Sequence, residues 1–288
     1  MKFGAVFPQN EISADPADLK RYITTVEQLG FDYVIFYDHV LGAHPDREGW
    51  SGPYTHEHQF HEPLTTFAWM AALTERLEFV TSILVLPARQ TALVAKQAAQ
   101  IDVLSGGRLR MGVAVGWNWV EFDALGMDFS QRGRHINEQI AVLRALWTDP
   151  LVTFQGDFHH IDRAGLNPMP VQQPIPLWIG GMSEAAMRRA ARLGDGWMPN
   201  PLPIDKGRER VETLHTYLRE EGRDPADFGL DVRCSLRFYK EADDFRRFVD
   251  EWTPLGATHM CLNTMYVDLP SLDDHLRMLE RFITAVKG

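Results

Sequence analysis

The sequence predicts a (β/α)8 TIM barrel, an α/β fold with long loops after strand two and before strand five. Three observations carry this. Strand-like and helix-like runs alternate from end to end, and strict alternation implies parallel strands joined by crossover helices. The 288 residues accommodate eight such units. No composition shift or low-complexity tract divides the chain, so residues 1–288 read as a single domain. A doubly wound open sheet is the structural alternative.

Strand one runs from Lys2 to Phe7 and is closed by Pro8. Asp15-Pro16 opens the first helix, a cap residue followed by proline at the first helical position, and Gly30 ends it. Strand two is Phe31 to Tyr37, strand three Leu77 to Leu84 and strand four Leu109 to Val115. Pro176 to Ile179 leads into strand five, Gly196 to Pro199 is a short strand six, Leu230 to Phe238 strand seven, and Thr258 to Asn263 strand eight. Helical patterns fall near 63–75, 91–104, 131–147, 183–193, 205–221, 242–253 and 271–287. Two connections are too long for turns. Residues 39–62 follow strand two, and residues 148–175, with a hairpin-like TFQGDFHHI, precede strand five.

Composition narrows the function. Hydrophobic content of 45% and charged content of 24% suit a globular chain with a sizeable core. A net charge of −10 repels phosphate backbones and argues against nucleic acid as a partner. No apolar run is long enough to span a bilayer, so no membrane partner is expected. Cys234 and Cys261 lie in no ligand spacing and read as small strand fillers. With an N-terminus that enters a strand directly, they point to a cytoplasmic enzyme.

Barrel enzymes place their chemistry at the C-terminal ends of strands. Strand two ends in Asp38-His39, a carboxylate beside an imidazole suited to proton exchange near neutral pH. The following loop carries His56, His58 and His61, which invite a metal reading, but strand one lacks the His-x-His of metal-dependent barrel hydrolases. Thr81 and Ser82 are small polar residues inside apolar strand three, where backbone meets a ligand, and Arg89 is placed to meet an anion or form a surface ion pair. Gly112 and Gly116 let a planar ring approach strand four, with Trp117 as platform or rim packing. Gly180-Gly181-Met182-Ser183 opens a helix after strand five, where backbone N–H groups favour a phosphate. Trp197-Met198-Pro199-Asn200 stands ready to close the same pocket.

Several segments together resemble the bacterial luciferase-like superfamily, most of all its actinobacterial F420-dependent oxidoreductases. They include MKFGAVFPQ, the FYDH of strand two, Glu62-Pro63-Leu64-Thr65-Thr66, the run from Leu77 to Gly126, and PLWIGGMSEAAMRRAARLGDGW. The resemblance spans nearly the whole chain and is densest over 62–126. It implies a tricyclic ring across the strand ends, backed by a bulge with a non-prolyl cis peptide at Ser82-Ile83. It implies a cofactor phosphate near Gly180 and Gly181, and His39 near the reactive carbon. Some deazaflavin enzymes carry a glutamate after strand four. Here Trp117 occupies that neighbourhood, which argues against a sugar-phosphate mechanism.

The expected function is therefore hydride transfer between F420, or FMN, and a small-molecule substrate, with His39 and Asp38 catalytic. Ser82, Ile83, Gly116, Trp117, Gly180, Gly181, Met182 and Ser183 are expected to bind the cofactor. Alternatives are an FMN-dependent monooxygenase, a barrel that holds flavin without turnover, and a metal-dependent hydrolase using the 56–62 histidines. Apolar stretches Phe67 to Leu73 and Ala92 to Ala99 lie on the side through which relatives often dimerise, so a homodimer is expected.

Overall fold

Eight parallel strands close on themselves in the computed structural model, which describes residues 1–288. Around the barrel they are β1 (Lys2–Val6), β2 (Tyr33–Phe36), β3 (Glu78–Val85), β4 (Leu109–Ala114), β7 (Leu177–Gly180), β8 (Gly196–Met198), β9 (Gly229–Ser235) and β10 (His259–Asn263), with β10 returning to β1. The closed order excludes the open doubly wound sheet. Two strands, β5 (Val152–Gln155) and β6 (His160–Ala164), stand outside the barrel as an antiparallel hairpin, where TFQGDFHHI predicted one.

Long helices follow the expected pattern: α1 (Pro16–Gln28), α2 (Pro63–Ala71), α3 (Thr91–Ser105), α5 (Arg132–Thr148), α6 (Glu184–Leu193), α7 (Ile204–Glu220), α8 (Ala242–Trp252) and α9 (Leu272–Lys287). Their starts show why. The Asp15 carboxylate accepts from Ala17 N at 2.8 Å, and that of Glu62 from Thr65 N at 2.6 Å, each just ahead of a proline in the first turn. Two features were not predicted. A six-residue helix, α4 (Trp119–Ala124), interrupts the path from β4 to α5. β9 stops at Ser235 and not at Phe238, because Leu236 to Phe238 turn away. No helix is long and apolar enough to cross a membrane.

The hairpin connection climbs from the base of the barrel towards its mouth. Glu138 on α5 accepts from the backbone N–H groups of Asp157, Phe158 and His159 at 2.7–2.8 Å. The His159 ring, 2.7 Å away through Nδ1, and these backbone bonds together outweigh desolvation and lower its pKa. His159 Nε2 meets Thr91 Oγ1 at the start of α3. The chain then descends, and Gln172 ties to Asp102 and to Leu109 O at the opposite face.

Alternation along the strands sorts the interior into layers. On β3, Glu78, Val80 and Ser82 share one face; on β9, Asp231 and Arg233 do. At the base, Arg110 of β4 pairs with Glu78 at 3.0 Å and Asp231 at 3.1 Å, and Tyr33 OH donates to Asp231 at 2.8 Å. The guanidinium also lies over the rings of Tyr33 and Trp178. A Cβ on Gly4 would stand 2.2 Å from the Tyr33 ring, and one on Gly229 2.2 Å from that of Trp178, so this floor requires glycine on β1 and β9. Above it pack Val6, Ile35, Val80, Met198 and Cys261. Both cysteines are free and buried, and burial with the nearby Asp231 pushes the Cys261 thiol up to about 12, so it stays protonated as a filler.

Candidate active site at the barrel mouth

Beyond β2 the chain continues through Tyr37 and Asp38 to His39, and the two charged candidates diverge. Asp38 turns outward. Its carboxylate accepts from Val85 N at 2.9 Å and from Arg89 Nη2 at 2.7 Å and Nε at 3.3 Å. Arg89 Nη1 also reaches Glu62 at 3.0 Å. The Asp38 side chain is 1% exposed. Asp38, expected as a catalytic partner of His39, instead fastens the end of β3 to the start of α3. Arg89 is likewise neutralised by two carboxylates and is no free anion site.

His39 has a different partner. Its Nδ1 lies 3.1 Å from Glu121 Oε1. The same oxygen accepts from Val40 N at 2.8 Å and Leu41 N at 3.2 Å. Glu121 sits on α4, the helix missed in the sequence, and its side chain is 2% exposed. Asn118 sets that helix, accepting from Val120 N while its amide donates to Leu41 O at 3.0 Å. The expectation that no acidic residue follows β4 is therefore corrected. The acid lies four residues beyond Trp117, where a short helix turns it under the loop after β2. A carboxylate on Nδ1 favours the tautomer with the proton there, leaving Nε2 as the exchangeable nitrogen.

Aromatic rings surround the imidazole. Phe60, Tyr54 and Trp117 have centroids 4.7, 5.2 and 5.4 Å from His39, and Trp50 lies against Trp117. The long loop 39–62 thus supplies one wall of the site, and Tyr54 OH meets Tyr266 OH at 2.6 Å, tying it to the loop after β10.

The facing wall is the end of β3. The pairing register with β4 shifts between Thr81 and Leu84, and the Ser82–Ile83 peptide is cis. Two glycines make room for this bulge. A Cβ on Gly180 would stand 2.4 Å from Ile83 Cγ2, and one on Gly116, where φ is +73°, 2.4 Å from Val85 Cγ1. Ser82 Oγ accepts from Arg233 Nη2 at 2.8 Å.

One cleft brings together Asp38, His39, Ser82, Ile83, Gly116 and Trp117, with Tyr37, Tyr54, Val85, Asn200 and Arg233. Gly180 to Ser183 do not line it. Gly180 is buried against Ile83, and Gly181 O accepts from Trp197 Nε1 at 2.8 Å. Met182 is half-buried beside the core, and Ser183 Oγ caps α6 by accepting from Ala186 N at 3.2 Å. The loop histidines do not converge either. His58 Nδ1 accepts from Thr55 N, His61 meets Gln59, and His56 stacks on His44. No group of three His, Cys, Asp or Glu side chains is arranged to hold a metal.

Reasoning from sequence missed Glu121, Tyr54 and Arg233. A signal existed for one of them: Asp231 and Arg233 alternate within the otherwise apolar LDVRCSL and so share an inward face.

The residues present fit a flat ring. The cleft is bounded by a backbone bulge and aromatic side chains, glycines keep its backing thin, and Arg233 Nε is a buried donor with no partner. The luciferase-like monooxygenase family profile matches residues 1–250. An uncharacterized protein of Mycobacterium tuberculosis is 34% identical over 273 residues, covering 89% of this chain and 90% of that one. An FMNH2-dependent dimethylsulfone monooxygenase of Pseudomonas putida is 34% identical over 166 residues, 56% of this chain and 46% of that one. The fold superposes on an F420-dependent secondary alcohol dehydrogenase solved with an F420–acetone adduct, with a TM-score of 0.82 at 20% identity over 100% of this chain and 99% of that one.

Proposed function

The chain belongs to the luciferase-like monooxygenase family, and on that premise we propose that it transfers a hydride between F420 and a small organic substrate, with His39 as the proton carrier. The observation that carries this reading is the His39–Glu121 pair at the rim of the cleft. When bound, the ring supplies or accepts the hydride. Reducing a carbonyl also needs a proton on oxygen, and oxidising an alcohol needs one removed. His39 Nε2 does either, donating as imidazolium or accepting as neutral imidazole. Glu121 holds the imidazole by Nδ1, so one buried carboxylate orients the base. Trp117, Tyr54 and Phe60 restrict water around it. Asp38 and Arg89 act from behind, fixing the strand end on which Ser82 and Ile83 stand.

F420 is favoured over FMN by the FYDH segment and by Glu121 beside His39. FMN-dependent monooxygenation is the second reading, supported by the Pseudomonas putida relative. Titrating the apo-protein with each cofactor tests the choice. Tight F420 binding with weak FMN binding is expected, and the reverse would sink the preference. Binding without turnover across a panel of alcohols and ketones would favour a carrier over an enzyme.

A further inference from the structure

Two loops meet at the mouth, and one short segment holds both. Loop 39–62 follows β2 and loop 264–271 follows β10, so they rise on either side of β1. They touch through the Tyr54 and Tyr266 hydroxyls at 2.6 Å. Residues 9–12, which continue β1, bond to both loops. Gln59 Nε2 donates to Gln9 O at 3.1 Å and to Ile12 O at 3.4 Å, fastening the first. Glu11 Oε1 accepts from Tyr266 N at 2.7 Å, fastening the second.

The second attachment is costly. Tyr266 has a φ of +71°, in the left-handed region that bulky side chains avoid, and Asp268 a φ of +55°. The other oxygen of Glu11, Oε2, is buried without a hydrogen bond and stands 3.6 Å from His275 Nε2, likewise buried and unpartnered. His275 Nδ1 meets Thr264 Oγ1 at 2.8 Å, at the start of the same loop. Backbone strain persists where the surroundings over-determine it, and it gathers at ligand clamps. What the strained residue holds is Tyr54, which lines the cleft with its ring centroid 5.2 Å from that of His39. The cleft encloses about 200 Å³, below the ~300–1,000 Å³ of most small-molecule pockets.

We propose that Tyr266 is a specificity-determining residue of this site: through its hydroxyl it keeps Tyr54 against His39, and so admits substrates of a few carbon atoms and turns bulky ones away. Glu11 is its positioning residue. This rests on the function proposed above. Without the hydroxyl pair, Tyr54 keeps only ring contacts with its aromatic neighbours and can swing from the imidazole, widening the space beside it. Glu121, not Tyr54, holds His39 Nδ1, so the proton carrier stays in place. A bulky alcohol therefore gains relative to a small one.

The test compares wild type, Tyr266→Phe, Tyr54→Phe, their double variant and Glu11→Ala, each loaded with whichever of F420 and FMN it binds. It measures kcat and KM for propan-2-ol and 1-phenylethanol, and Kd for acetone and acetophenone by ligand-observed NMR. Wild type is expected to favour the smaller member of each pair. Tyr266→Phe should cut that preference about tenfold, through KM and not kcat, and Tyr54→Phe should do the same. The double variant should go no further, because both substitutions break one bond. Glu11→Ala should move the preference in the same direction, and no movement would remove Glu11 from the role. Wild type without a size preference, a preference unchanged in Tyr266→Phe, equal loss of kcat for both alcohols, or additive losses in the double variant would each overturn the proposal. No turnover of either alcohol, with a ketone preference that Tyr266→Phe loses, would remove the hydride-transfer reading and leave this role standing. Binding of neither ketone would remove this role.

Discussion

Two arginines inside one barrel are treated in opposite ways. Arg110, at the base, is enclosed by Glu78 and Asp231 and by the faces of Tyr33 and Trp178. Arg233, one layer below the mouth, has a hydroxyl and an aromatic face but no carboxylate. The carboxylates beyond the strand ends are spent elsewhere, Asp38 on Arg89 and Glu121 on His39. At the base, opposite charges are paired with one another, which serves stability, although Arg110 Nη2 itself finds no partner. At the mouth, Arg233 lines the cleft with no carboxylate within ion-pair distance. This matches the division of labour between the two faces of such barrels.

The largest effect expected from breaking this contrast is on turnover. His39→Ala should lower kcat by about a hundred- to ten-thousandfold, the usual contribution of a positioned acid–base group, with cofactor affinity nearly unchanged. An unaltered rate would remove His39 from the reaction. Glu121→Gln should keep the loop bonds to Val40 and Leu41 and lower kcat less, because the imidazole loses the carboxylate that holds its Nδ1.

Next comes stability at the base. Arg110→Met leaves the buried Asp231 without its ion-pair partner, while Glu78 keeps Lys2, and should cost about 3–5 kcal/mol in chemical denaturation. Arg233→Met removes a cation that has no carboxylate partner, so its cost should be much smaller. Comparable losses in the two variants would erase the distinction between the two ends.

Asp38→Asn should be intermediate. It weakens charge-assisted bonds to Arg89 and Val85 N, at about 1.5–3 kcal/mol. If Asp38 only positions the strand end, the pH dependence of turnover should keep its shape while stability falls. A shifted pH–rate profile would return Asp38 to the chemistry.

The smallest effect is graded with pH and again belongs to the base. Burial, then the nearby Arg110, pulls His259 down to about 2. In the unfolded chain the imidazole protonates near pH 6.5. Between those values the unfolded state binds a proton that the folded state refuses. The contribution of His259 to stability is therefore complete above about pH 6.5 and is lost as pH falls. The slope is at most about 1.4 kcal/mol per pH unit. Urea denaturation of His259→Asn at pH 7 and pH 5 should show a flatter acid limb than wild type, and an identical slope would contradict the assignment.

The outcome of reading the chain depends on the distance over which each feature is specified. Alternating strands and helices, the Asp15-Pro16 and Glu62-Pro63 starts and the TFQGDFHHI hairpin are local patterns, set by backbone preference and periodicity over a few residues. They sufficed for the barrel, the two long connections and the mouth location of His39, Ser82, Gly116 and Trp117. Partner choice is not local. Asp38 and His39 are adjacent in sequence, yet successive residues at the end of a strand face opposite ways, so one carboxylate went to α3 and the imidazole to α4. Glu121 was legible as an acid but not as the partner of His39, because six residues of helix and a capping asparagine decide where it points. Gly180 illustrates the same limit: a glycine before a helix reads as a phosphate site, whereas here its missing Cβ admits Ile83 from another strand. The sequence by itself determined the barrel and which residues end up at its mouth. The tertiary structure alone decided which charges neutralise one another and which stay open, because ion pairing across a closed sheet depends on register and layer, and these exist only once the barrel has closed.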